Sequence, residues 1–234
     1  MRNSLKVGGM VLALAAGGAA LAQTKPAPRN WNQTITLTPQ GTHLLGNPAA
    51  KVRLTQFISY TCPHCAHFEQ EADAQLRLTF VASGKGAIEV RNFVRDPIDL
   101  TVALLTNCGP ASKFFANHTA FLRSQDKWIG PLAHPSAVQQ ARWTTGAFAQ
   151  RTRAIARDFD FYPIMATRGY TTTEVDKCLA NEPLAKRLAA DTQEAASKLF
   201  VSGTPSFAID GTVLAGTYSW AALRPQLAAR MGTN

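Results

Sequence analysis

The chain has 234 residues, of which 46% are hydrophobic and 17% charged, and a formal net charge of +9. Such proportions exclude wholesale disorder and suit one domain with a substantial core, or one domain carrying a large insertion. The basic excess forms no extended run and names no nucleic-acid partner; attraction to an anionic membrane surface, or plain solubility, accounts for it.

The first residues read as an export signal. Arg2 and Lys6 give a short positive segment, Val7 to Ala20 is apolar or Gly throughout, and Ala20-Leu21-Ala22 fits the small-x-small cleavage pattern, so the mature chain is expected to begin at Gln23. The apolar run falls short of the about 20 residues that a membrane span needs, which makes a retained anchor helix the weaker alternative. A lipid anchor is weaker still, because Gln23 follows the cleavage site and the first cysteine is Cys62.

Residues 23–30, QTKPAPRN, are polar and Pro-rich and read as a flexible leader, and ITLT, 35–38, suits a short edge strand. VRLTQFISY, 52–60, is apolar at 52, 54, 57, 58 and 60, the near-continuous character of a strand buried on both faces, and AIEVRNFV, 87–94, reads the same way. Between them Pro63 to Ser83 carries apolar residues at 65, 68, 72, 76 and 80, a helical stripe that stops at Gly84. Then the chain turns helical. LTVALLTNC (100–108), SKFFANHTAFLRSQ (112–125) and SAVQQARWTTGAFAQRTRAIARDF (136–159) are each bounded by Pro, Gly or Asp. A further short helix opens at Thr171, with Glu174 at capping-box spacing, and carries Cys178; PLAKRLAADTQEAASKLF, 183–200, opens with a proline at a permitted first-turn position. SFAID and TVLAG flank Gly211, and Asp210-Gly211 is a strong hairpin signal; SWAALRPQLAARM closes the chain as a helix. The order is β-α-β, a helical block, then α-β-β-α, an α/β class.

The stretch SYTCPHCAHFEQEA, 59–72, places Cys62 and Cys65 two residues apart, at the handover from strand to helix. Three roles are open to such a pair: metal ligands, a structural staple, or a dithiol that exchanges electrons with other proteins. Zinc normally takes four ligands, and only one Cys-x-x-Cys pair is present, so a mixed site with His64 and His67 is the remote option. Exchange has more to support it. Cys62 stands at a helix N-terminus, where unpaired N–H groups and the helix dipole favour a thiolate. Pro63 suits the first helical position, and His64 can add a hydrogen bond or positive charge. Cys65, one turn along, can attack a mixed disulfide formed on Cys62. A pKa lowered by about three units would stabilise the thiolate by roughly 4 kcal/mol. For a two-electron couple that is on the order of 90 mV towards easier reduction. A pair so stabilised when reduced gives its disulfide away.

VSGTPSF, 201–207, is the second informative stretch. Thr-Pro alone is more often an ordinary turn. Here Pro205 follows a helix end and Gly203 and opens a strand, a place suited to a cis bond, which costs an X-Pro bond only about 1 kcal/mol. Such a turn can leave the backbone of Thr204 as an edge with which an extended substrate could pair.

FISYTCPHCAHFE after an apolar strand, the helical block, and SGTPSF ahead of a hairpin and final helix together resemble the DsbA family of thioredoxin-fold thiol:disulfide oxidoreductases of the bacterial cell envelope. The likeness spans nearly all of the mature chain. It implies a thioredoxin fold with a large inserted all-helical domain: a signal peptide at 1–22, the leader at 23–30, a first thioredoxin part at 31–96, the insertion at 97–182 and a second part at 183–234. It implies Cys62 as nucleophile, Cys65 as resolving cysteine, His64 as thiolate stabiliser and Pro205 as the cis-proline, with Pro63, Gly203 and Thr204 at the site and Glu69 as a possible proton carrier. Neither cofactor nor metal is implied. The partners implied are reduced or unfolded exported proteins and a membrane-bound, quinone-linked reoxidase of the DsbB kind, in the periplasm. Two positions depart from the family pattern. Gln56, six residues before Cys62, replaces an acidic residue, and Thr204 stands where the best-known oxidases have an apolar residue and related isomerases often have Thr. Those isomerases also carry an N-terminal dimerisation domain, for which the residues ahead of the first strand are too few, so a monomeric oxidase is the favoured expectation. An isomerase or reductase kept reduced is the alternative, and a chaperone or metal-binding module the distant one.

Cys108 and Cys178 stand about 70 residues apart inside the helical block. Export favours a structural disulfide between them, worth on the order of 4 kcal/mol in the chain-entropy model; two free buried thiols or a second redox relay are the alternatives. His43, His118 and His134 are expected at the surface or at caps, Arg142, Arg151, Arg153 and Arg157 on a solvated helix face, and Trp128, Trp143 and the phenylalanines of the block in the core.

Overall fold

The computed structural model describes Ser4 and residues 29–232, so the signal peptide and nearly all of the leader expected above lie outside the described residues. Its centre is a six-stranded sheet in the order β1-β2-β4-β3-β5-β6: β1 (Ile35–Leu37), β2 (His43–Gly46), β3 (Val52–Ile58), β4 (Gly86–Asn92), β5 (Ser206–Ile209) and β6 (Thr212–Val213). β3 and β4 pair in parallel, from Val52 opposite Gly86 to Ile58 opposite Asn92, and every other pairing is antiparallel. A parallel pair needs a crossover, and α1 (Pro63–Gln75) provides it. The helices α2 (Pro97–Thr106) to α9 (Thr172–Leu179) fall between β4 and α10 (Glu182–Lys198), and α11 (Trp220–Gly232) ends the fold. This is the arrangement that the resemblance implies.

β3 shows why the centre is rigid. Its residues alternate between two cores: Leu54 and Ile58 join the large cluster under α1 and the helical block, while Phe57 joins a smaller one with Ala195 of α10, Val201 and Ala208. The β5–β6 hairpin turns at Asp210 and Gly211, both at positive φ (50° and 83°), as the Asp-Gly signal predicts. Thr171 caps α9 in a capping box with Glu174.

Four sequence expectations need correction. The strand β2, HLLG, was not anticipated: four residues that end at Gly46, with φ 115°, are too few to show a period. The helix expected over 63–83 changes to π geometry at Leu76–Val81, with Ala82 N–H bonded to Arg77 O, which buries Leu76, Phe80 and Val81 and leaves Leu78 exposed. The single helix expected over 136–159 is two, α6 (Ala137–Thr144) and α7 (Phe148–Asp158), because Gly146 at φ 89° ends the first and Gln150 accepts from the Ala147 N–H to start the second. His43 and His118 are buried rather than superficial, His43 stacked on Phe114 at 3.8 Å; His134 is exposed. Burial, helped by Arg187 and His118, lowers the His43 pKa to about 4, so it stays neutral in the stack.

The helical block has an aromatic centre. Phe121, Trp128, Phe159 and Phe161 meet edge-on or tilted, with Trp143 against Phe159. Arg142 pairs with Asp158 and Arg153 with Asp176, so that helix face is solvated but not free of partners. A disulfide joins Cys108, just after α2, to Cys178 in α9, with Cα atoms 5.6 Å apart. No helix among the described residues is long and apolar enough to cross a membrane.

Because this bridge closes 70 residues of chain, the Cys108→Ala/Cys178→Ala protein is expected to lose on the order of 4 kcal/mol of stability. Denaturant unfolding of the two proteins measures the difference; equal midpoints would mean that the block holds itself together without the bond.

Candidate active site

Cys62 is the residue at which β3 has ended and α1 begins. Its backbone is extended (φ −91°, ψ 116°), its carbonyl accepts from the N–H groups of Cys65 and Ala66, and Pro63 occupies the first turn. No side chain caps this helix, and the N–H groups of His64 and Cys65 face the sulfur instead. Cys62 and Cys65 are free thiols and almost fully buried, while Pro63 and His64 are exposed. The Cys62 thiol donates to the Thr204 carbonyl at 3.1 Å, and the Thr204–Pro205 bond is cis. Gly203 accepts from the Ser206 hydroxyl at 2.7 Å, which fixes the loop just ahead of β5.

The two sulfurs are far apart in acidity. A hydrogen bond from Cys65 is the largest influence on Cys62; burial opposes it, and Thr204 with the N–H groups of Cys65 and His64 adds to it, so the Cys62 pKa falls to about 5. Burial, then the neighbouring Cys62, pushes the Cys65 thiol well above the ordinary range. His64 therefore acts through its backbone; among the described residues nothing bonds its exposed ring. The Thr204 hydroxyl is buried without a well-formed hydrogen bond, yet lies close enough to lower both thiols: it is an unpaired donor beside the sulfurs.

Several residues that the sequence did not single out hold this arrangement. Gln125, on the four-residue helix α4 (Gln125–Trp128) of the block, is buried and donates to the carbonyls of Tyr60 (2.6 Å) and Cys62 (3.1 Å). Asp99 of α2 accepts from the N–H of Tyr60 at 2.7 Å and of Arg95 at 3.0 Å; burial raises its pKa to about 7. Asp96 accepts from the Thr61 hydroxyl at 2.6 Å. The segment 60–62 is thus gripped on both sides by the helical block. An isolated Gln or Asp within a helical stretch has no local signal that would reveal such a role.

Glu69 lies one turn beyond Cys65 on α1, but its carboxylate is engaged by the Thr119 hydroxyl at 2.7 Å and lies 3.6 Å from His118. Burial would raise its pKa, and the hydrogen bond and charge of His118 with the Thr119 bond outweigh that and lower it. His118 also bonds the Tyr60 hydroxyl at 2.9 Å, and Gln56 lines a small cavity with Glu69 and His118. The structure thus brings Glu69, Gln56 and His118 together around one small cavity. Among the described residues no group of three or more His, Cys, Asp or Glu could hold a metal ion.

A family model described as thioredoxin matches residues 38–229. Provisionally named protein-disulfide oxidoreductases are similar to this chain: one of Rickettsia felis is 30% identical over 75% of this chain and 55% of its own length. Another, of Rickettsia prowazekii, is 28% identical over 81% of this chain and 61% of its own. The chain spans little more than half the length of these curated relatives. Among solved structures, a protein-disulfide isomerase from Novosphingobium aromaticivorans superposes with TM-score 0.79 at 64% identity, covering 82% of this chain and 98% of that one. The alpha-DsbA1 of Wolbachia pipientis gives TM-score 0.66 at 19% identity, covering 84% and 94%, which shows a shared fold.

Two measurements probe the site. Alkylation of Cys62 against pH is expected to follow a midpoint near 5, and Cys65→Ala to move it upward, since the Cys65 bond is the largest lowering influence; an unmoved midpoint would transfer the effect to the helix end alone. Gln125→Leu takes the side-chain donor from the buried Tyr60 carbonyl, while Cys62 keeps its two helical donors, and is expected to cost about 1–3 kcal/mol. Its thermal midpoint should fall by several degrees and the Cys62 midpoint should shift with it; a fall in stability alone would make Gln125 merely structural.

Proposed function

This chain belongs to the thioredoxin family, and from that premise we propose that it is a thiol:disulfide oxidoreductase that donates the Cys62–Cys65 disulfide to newly exported proteins in the bacterial periplasm. The observation that carries the reading is the split between the two thiols, one at about 5 and the other raised far above the ordinary range. In the oxidised protein, a substrate thiolate attacks the Cys62 sulfur and the Cys62–Cys65 bond breaks. Cys65 departs and takes up a proton, which its raised pKa favours. A second substrate thiolate then attacks the substrate sulfur of the mixed disulfide. The substrate leaves oxidised by two electrons; Cys62 remains as thiolate, Cys65 as thiol, and the other substrate proton goes to solvent. Thr204 presents a backbone edge for the substrate and an unpaired hydroxyl to the sulfurs. Glu69, already held by Thr119 and His118, serves the proton path at most through its cavity. A membrane-bound, quinone-linked enzyme of the DsbB kind restores the disulfide, and the protein works as a monomer.

The second reading, an isomerase or reductase kept reduced, is favoured by Thr204 and by the solved isomerase at 64% identity. Redox-linked stability separates the two. Stability that the thiolate adds to the reduced form is fully present above the ordinary thiol pKa, about 8.5, and is lost as pH falls through about 5. In a Cys108→Ala/Cys178→Ala background, the reduced protein is therefore expected to melt above the oxidised one at pH 8, with the gap closing towards pH 5. An oxidised form that melts higher throughout would sink the oxidase reading. Oxidation of a reduced model protein that survives Cys62→Ser would sink both.

A further inference from the structure

Among the described residues three non-glycine residues have positive φ: Asp160, Asp210 and Phe200. The two aspartates are short polar residues that tolerate this region, whereas a bulky aromatic in it is an outlier. Phe200, at φ 57°, follows α10 in the position where helices ordinarily place glycine, and the Val201 N–H closes back on the Ala195 carbonyl at 3.0 Å. Nothing in the packing calls for an aromatic there. Phe200 is 84% exposed, the most exposed of the large hydrophobic side chains among the described residues, while its neighbour Val201 is buried against Phe57, Ala195 and Ala208. The backbone conformation and the exposure both argue against phenylalanine, and neither is offset among the described residues. Cost of this kind concentrates where a residue meets something else.

The location says what. Phe200 lies four residues before Thr204, so their Cα atoms are within about 14 Å. Val201 anchors the loop under the end of β3, beside Phe57, five residues before Cys62. Leu199 and Phe93 pack on the same cluster, so the loop from 199 to 205 is held from below at the end of the sheet that carries the thiols. A polypeptide that pairs its backbone with Thr204 extends past the reacting cysteine on both sides, and a residue two or three positions along comes within reach of Phe200. An aromatic face is the right chemistry for an apolar side chain there, and it has little rotamer freedom to lose.

Resting on the reading above, we propose that Phe200 is a specificity-determining contact for polypeptide substrates, gripping an apolar side chain that flanks the substrate's reacting cysteine. A folded protein with its cysteines among polar residues would miss this contact, while an unfolded chain that exposes its core residues would make it.

The test compares wild type, Phe200→Asn and Phe200→Tyr, each oxidised at Cys62–Cys65. Asn tolerates the backbone conformation, so Phe200→Asn is expected to melt at or above wild type. Its kcat/KM for a reduced peptide with leucines flanking the cysteines should nevertheless fall by roughly fivefold. Its rates with dithiothreitol, and with a peptide carrying serines in place of those leucines, should match wild type, and Phe200→Tyr should behave as wild type throughout. Equal rates of Phe200→Asn and wild type on the leucine peptide would overturn the proposal, as would an equal loss on all three substrates. If wild type itself reacts with neither dithiothreitol nor peptide, the oxidoreductase reading fails, which is a different outcome.

Discussion

The reactive end of the molecule depends on where the chain stops being β3 and becomes α1. At Cys62 the backbone is still extended while its carbonyl already belongs to the helix, so the sulfur sits at the helix end, where the N–H groups of His64 and Cys65 reach it. An ordinary helix meets such groups with a Ser or Asp side chain. A thiolate can meet them too, and the interaction is mutual: the helix end lowers the energy of the charge, and the charge caps the helix. The Cys65 thiol adds a further donor, and its own burial ensures that it keeps its proton.

That arrangement is sensitive to small shifts, and the polar groups of the helical side hold the turn through its backbone and one hydroxyl. Gln125 takes the carbonyls of residues 60 and 62, Asp99 the N–H of 60, and Asp96 the hydroxyl of 61. Each would be costly to bury alone; together they satisfy one another and define a single conformation of the turn. The helical block is therefore more than an attachment to the sheet. Its aromatic centre and its disulfide keep α2 and α4 in place, and those two helices hold the turn.

What was legible in the sequence was whatever is local. The buried pattern of 52–60, the Asp210-Gly211 turn, the Thr171–Glu174 box and Pro63 after Cys62 each work within a few residues, and each appears in the structure where the pattern put it. The misses need information from elsewhere in the chain. β2 is a strand because β1 and β4 flank it, not because HLLG shows a period. Phe200 at positive φ contradicts local preference outright. His118 reads as a helix-surface residue until Tyr60 and Glu69 close around it. Gln125 reads as solvent-facing until the turn at 60–62 is laid beside it. Polar residues that work across the core leave no trace in neighbouring letters, because their partners lie some sixty positions away.

The grip of Gln125 on residues 60 and 62 also bears on how portable the motif is. CPHC is four letters and could be written into any strand-to-helix junction of a smaller scaffold. A graft of that kind would bring the two sulfurs and the helix end, but not the amide and carboxylates that an inserted block supplies. The acidity of Cys62 comes from Cys65, Thr204 and the N–H groups of Cys65 and His64, and the block's part is to hold the backbone on which they are arranged. A transplanted pair would retain its spelling and settle to the potential of its new host.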